Sequence, residues 1–163
     1  MNVLIKSATI VDPKSDFHNQ TLDILIEKGT ISQIGKTLKN PKKYKEVVLD
    51  NLHVSQGWFD SSVSFGEPGY EERETIANGL NTAALSGFSS VAVNSNTHPV
   101  IDSYADVSFL KGKANGHAVN LFPIGALTKE GESEDLAELF DMNNAGAIAF
   151  YDYQKPIANP NLM

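Results

Sequence analysis

Residues 58–96, "WFDSSVSFGEPGYEERETIANGLNTAALSGFSSVAVNSN", change their hydrophobic period twice. "WFDSSVSF" reads as a strand. Pro68-Gly69 forms a turn and acidic residues crowd the turn after it. Ile76, Leu80, Ala83 and Ala84 then recur at helical spacing, and Gly87 sits where a helix would stop. "FSSVAVNSN" is an apolar run of the kind buried in a parallel sheet. Strand, helix and strand joined by short connections make a βα unit.

The same alternation continues toward the C terminus. "HPVIDSYADVSFLKGKANG" reads as a turn and a helix, and "HAVNLFPIGAL" as a strand. "SEDLAELFDMNNAG" reads as a helix with Ser133 as N-cap and Gly146 just past its end, and "AIAFYD" as a fourth strand. The carboxylates of "EGESEDLAE" suit a solvated helix start, where they meet the positive end of the helix dipole. Before Gly57 the pattern differs. "NVLIKSATIV", "LDILIEKGTISQIG" and "EVVLDNLHVSQG" are β-branched runs separated by turn residues, with the basic loop "KTLKNPKKYK" among them.

The predicted fold class is therefore α/β. A small all-β, β-sandwich-like unit over residues 1–55 precedes βα units over 56–163. Four strands are half of what a (β/α)8 TIM barrel needs. The expectation is the first half of such a barrel, as a piece of a longer product, with closure of two halves in an oligomer as the alternative.

Composition excludes several functions. The chain has 13 basic and 20 acidic residues and a formal charge of −7, which disfavours general nucleic-acid binding. It lacks cysteine, so disulfides, thiolate metal sites and cysteine nucleophiles are ruled out. "MNVLIKSATIVDP" reads as a strand and turn, not a secretory leader, and no apolar run reaches bilayer length. A soluble cytoplasmic protein without membrane or nucleic-acid partners is expected. Neither GxGxxG nor GxxxxGK[ST] occurs, so phosphate-cradling turns are unsupported.

In parallel α/β folds, chemistry sits at the carboxyl ends of strands. "DSSVSFGEPG", "NSNTHP", "IGALTKEGE" and "FYDYQKP" are those ends. In the first, Asp60, Ser62 and Ser64 are two apart, which places them on one face of an extended chain. That is the rhythm of a metal-binding strand, with hydroxyls where imidazoles would be useful.

The order of Glu67-Pro68-Gly69, Glu74-Thr75, the Asn96-Thr97-x-Pro99 turn and Gly146 before the last strand resembles dihydroorotase of the amidohydrolase superfamily, a cyclic amidohydrolase. The resemblance covers the chain as the first part of a longer family member. It implies pyrimidine biosynthesis, with reversible cyclisation of carbamoyl aspartate to dihydroorotate. The family's first strand ends in Asp-x-His-x-His-x-Arg-Glu-Pro-Gly, whose histidines hold zinc and whose arginine grips the substrate carboxylate. Carried over, Asp60 matches the aspartate, Ser62 and Ser64 fall on the histidines, and Gly66 falls on the arginine. After strand four, where relatives use a carboxylated lysine or an aspartate of a "DDG" run, Asp152 persists and Tyr153 takes the second acidic position. Lys155 is displaced from the lysine role. Asn96, in the turn where the family holds its substrate, is retained, as the substrate-binding residue the resemblance implies or as a turn former.

A serine hydroxyl is a poor zinc ligand at neutral pH because it must lose a tightly held proton. The resemblance with these replacements implies no cofactor in this chain, zinc in active members, and impaired catalysis. The alternatives are a non-catalytic structural subunit partnering aspartate carbamoyltransferase, self-association, or another cyclic amidohydrolase with a rebuilt site. His98 and His117 lack ligand spacing and are expected to be surface or hydrogen-bonding residues, and His18 and His53 to do nothing chemical.

Overall fold

The computed structural model describes residues 1–162 and divides them into two compact units, meeting in sequence at Gln56 and Gly57. In the first unit, β1 (Val3–Val11), β2 (Thr21–Glu27), β3 (Thr30–Gly35), β4 (Lys45–Val47) and β5 (His53–Ser55) form one mixed sheet. β1 pairs antiparallel with β2, and both β4 and β5 run parallel to it. Lys28 and Gly29, with φ of 53° and 81°, make the tight β2–β3 connection; two positive φ values match the right-handed twist of the strands. Ala8, Ile10, Leu22 and Ile24 are buried together on one face.

One buried acid departs from the strand pattern. The β1–β2 register shifts between Ile5 and Ala8, with Ser7 at φ 52°. Asp23 repairs the break: its carboxylate accepts from the Ser7 and Leu38 N–H groups, each at 2.9 Å, and pairs with Lys6.

The second unit carries β6 (Trp58–Val63), β7 (Phe88–Val93), β8 (Asn120–Gly125) and β9 (Ala149–Phe150), paired in that order and all parallel. Helices α1 (Ile76–Leu85), α2 (Tyr104–Lys113) and α3 (Leu139–Ala145) join successive strands. Their apolar stripes supply Ile76, Leu80, Val107, Leu110 and Met142 to a core that includes Val91, Val93 and Leu121 of the sheet. The result is a curled, unclosed parallel sheet, a half-barrel following a β-sandwich-like unit. Among the described residues, no helix is long and apolar enough to cross a membrane.

Caps explain where the helices begin and end. Thr75 accepts from the Asn78 N–H at the start of α1, and Gly87 follows its end at φ 88°. Ser103 caps α2 through the Asp106 N–H. The helix predicted from Ser133 starts only at Leu139. Ser133 has φ 61° and caps nothing; its hydroxyl donates to Pro156 O. The acidic stretch instead forms a short 3₁₀ turn, Lys129–Gly131, enclosed by a bridge between Thr128 and Leu136. Tertiary pairing there outweighs the local capping signal. Gly146, at φ 111°, does end α3.

The sheet also corrects the expected common face of Asp60, Ser62 and Ser64. Asp60 pairs with Val91 and Val63 with Val93, so three steps on β6 oppose two on β7. This extra residue inverts the alternation. Asp60 faces the helix layer and lines a hollow with Phe65, Gly79 and Val91, whereas Ser62 and Ser64 face the opposite way, beside Asn94.

Candidate functional site

Apart from Asp60 and Ser62, which lie within β6, the strand-end residues singled out in the sequence follow the strands of the second sheet, but they divide into separate groups. Ser62 and Ser64 meet around Asn94, the residue following β7. The Asn94 amide nitrogen donates to Ser62 Oγ at 3.2 Å and to Ser64 Oγ at 3.1 Å. Its Oδ1 accepts from the Tyr151 hydroxyl at 2.6 Å. Asn94 is 1% exposed, and its backbone N–H donates to Val63 O at 2.9 Å. Neither Asn94 nor Tyr151 stood out in the sequence. The available signal was a polar residue directly closing the apolar run "VAV".

Asp152 is engaged elsewhere. Its Oδ1 accepts from the N–H groups of Leu127 and Thr128, at 2.9 and 3.0 Å, and its Oδ2 accepts from the Thr128 hydroxyl. The buried carboxylate thereby holds the segment after β8 against the residue after β9. Asp60 accepts from the Ser62 N–H at 3.1 Å on the other side of the sheet. Lys155 donates to Gly131 O at 3.1 Å.

Asn96 lines a small cleft of ≈ 90 Å³ with Glu130, Asp152, Tyr153 and Lys155. Its buried Oδ1 has no hydrogen-bond partner among the described residues. Tyr153, predicted at a ligand position, stacks at a tilt against Tyr151 with ring centres 6.2 Å apart.

Gly66 is closed to any side chain. A Cβ there would fall 1.9 Å from Tyr70 O and 2.7 Å from Tyr70 C. The turn that causes this is tied by the bonds Gly66 N–H to Glu74 O and Tyr70 N–H to Gly66 O, at 2.9 and 2.8 Å.

The histidines serve local structure. His117 bonds to Asn81 Oδ1 at 3.0 Å and accepts from the Val119 N–H. His18 accepts from the Asp12 N–H, and His53 donates to Asn51 O. His98 is exposed, its ring 6.4 Å from that of Tyr70. Among the described residues, no group of three or more His, Cys, Asp or Glu side chains could hold a metal ion.

The sequence profile described as "Dihydro-orotase-like" matches residues 53–163. The chain belongs to the dihydroorotase-like family. The curated dihydroorotases of Citrifermentans bemidjiense and Pelotomaculum thermopropionicum are 42% and 41% identical to it, across the whole of this chain. The chain spans 38% of the length of each of these relatives. Among solved structures, the L-hydantoinase (dihydropyrimidinase) of Arthrobacter aurescens superposes with a TM-score of 0.70 at 18% identity, over 91% of this chain and 32% of its own. A dihydroorotase superposes at 0.61 and 12% identity, over 91% of this chain and 41% of its own. These likenesses show a shared fold.

Against that family the donor set can be tested for zinc. Ser62 and Ser64 are neutral hydroxyls whose oxygens already accept amide hydrogens, and the Asp152 oxygens are taken by the segment after β8. None offers the imidazole nitrogen or free carboxylate that zinc takes in proteins. The residues present at these strand ends do not fit the ion.

Proposed function

We propose that this dihydroorotase-like chain is impaired in the family's reaction, the cyclisation of carbamoyl aspartate and its reversal. The observation that carries the reading is the bonding of both serine oxygens to the Asn94 amide at 3.2 and 3.1 Å. Hydrolysis or closure of a cyclic amide in this family relies on a metal to bring the pKa of water to about 7. Ser62, Ser64 and Tyr153 stand at ligand positions without replacing that capacity. Gly66 stands at the arginine position and leaves the substrate carboxylate without a bidentate clamp. Asn96, which lines the small cleft with Glu130 and Lys155, is the substrate contact that remains.

A dihydroorotate ring-opening assay with added zinc tests the reading. The expected result is no turnover above buffer. Metal-dependent turnover abolished by Ser62→Ala with Ser64→Ala refutes it. A chain that keeps the fold and loses the chemistry is suited to work through its surfaces. The corresponding role is a structural subunit of aspartate carbamoyltransferase, tested by co-purification at micromolar concentration. Turnover of a different cyclic amide would favour a rebuilt site instead.

A further inference from the structure

A primary amide has two N–H donors and one carbonyl acceptor. At Asn94 all of them are used, and on three different chain segments. The donors reach Ser62 and Ser64 at the end of β6, and the acceptor receives the hydroxyl of Tyr151, just past β9 and 57 residues away in sequence. The side chain doing this is almost completely buried, where an unmet amide group is costly and a met one is held firmly. The first and fourth strands of the open sheet are thus joined through one residue at the end of the second.

We propose that Asn94 and Tyr151 form a hydrogen-bonded clasp that ties these strand ends together without a cation and bars a cation from seating between Ser62 and Ser64. The inference rests on the metal-free reading of the site and specifies what replaced the ion. The barring follows from polarity. Each serine oxygen gives one lone pair to an amide hydrogen, and the positive ends of those N–H dipoles face the two oxygens. A divalent ion would have to displace both bonds and then face the same hydrogens. Restoring nitrogen ligands at the two serines is therefore insufficient while the amide stays.

Two measurements test the clasp. Tyr151→Phe deletes a single hydroxyl and keeps the ring, so the fold is retained. Hydrogen exchange at the amides of Asn94 and Tyr151 is expected to quicken at least tenfold, with β1 to β3 unchanged; unaltered exchange at Asn94 overturns the clasp. For the barring, zinc affinity is compared by equilibrium dialysis between Ser62→His/Ser64→His and the same protein with Asn94→Ala added, after circular dichroism confirms the fold of each. The triple variant is expected to bind zinc at least tenfold more tightly, and equal affinities overturn the barring. Dihydroorotate turnover by the unaltered chain is measured alongside. Turnover there refutes the impaired-enzyme reading, while the exchange and zinc results judge the clasp separately.

Discussion

Gly66 is held in a turn that leaves no room for a side chain. Replacing it with alanine is the simplest perturbation. The new Cβ would lie 1.9 Å from Tyr70 O, so the segment must retreat by about 1.5 Å to reach an ordinary 3.4 Å contact. The two bonds that define the turn, at 2.9 and 2.8 Å, cannot survive such a movement. Each lost bond costs about 0.5–1.5 kcal/mol. Residual crowding adds about 1–3 kcal/mol. Gly66→Ala should then destabilise the chain by about 2–6 kcal/mol, a large share of the roughly 5–15 kcal/mol typical of a domain.

Urea unfolding followed by circular dichroism reads this as a lower midpoint at unchanged slope. Gly112→Ala is the internal control. Gly112 lies inside α2, and a Cβ added there would meet no atom within 4 Å, so its substitution should be neutral or stabilise by about 0.5–1 kcal/mol. Gly66→Arg should lose stability like the alanine variant and gain no affinity for dihydroorotate. A loss below about 0.5 kcal/mol for Gly66→Ala, or carboxylate binding by the arginine variant, would refute the reasoning.

Other perturbations address the remaining buried polar groups. Asp152→Ala strands the N–H groups of Leu127 and Thr128 and should cost about 2–4 kcal/mol in the same unfolding assay; a neutral result removes Asp152 from its structural role. Asp23 titrates below its ordinary value of 3.8: burial pushes its carboxyl up, but hydrogen bonds from Lys6 and from the Leu38 and Ser7 N–H groups outweigh that. A lowered folded-state pKa contributes stability that is complete above the unfolded value and is lost as pH falls through the folded one. The urea midpoint should therefore drop on acidification below about pH 4, and Asp23→Asn should flatten that part of the profile. Thr75→Ala removes the side-chain cap of α1 and should cost about 1 kcal/mol, with Thr75→Ser restoring most of it.

Much of the fold was legible because it depends on local chemistry. The alternation of periods after Gly57 marked the βα units, and Gly87 and Gly146 marked helix ends. The failures were places where a distant segment competed with a local preference. Ser133 looks like an N-cap in sequence, but the Thr128–Leu136 bridge occupies the chain on either side of it. Asp60 looks like a neighbour of Ser62, but an extra residue in β6 turns it to the other side of the sheet.

For the candidate site, residue identity alone determined what could not happen: without imidazoles at residues 62 and 64, that strand end lacks zinc's usual donors. Only the folded chain decided what those hydroxyls do instead. The partners are Asn94 and Tyr151, 32 and 57 residues apart along successive links, and no local pattern encodes such a meeting. Hydrogen bonds are short-ranged and directional, so their pairing is set by strand register and curl, which arise from packing of the whole sheet against its helices.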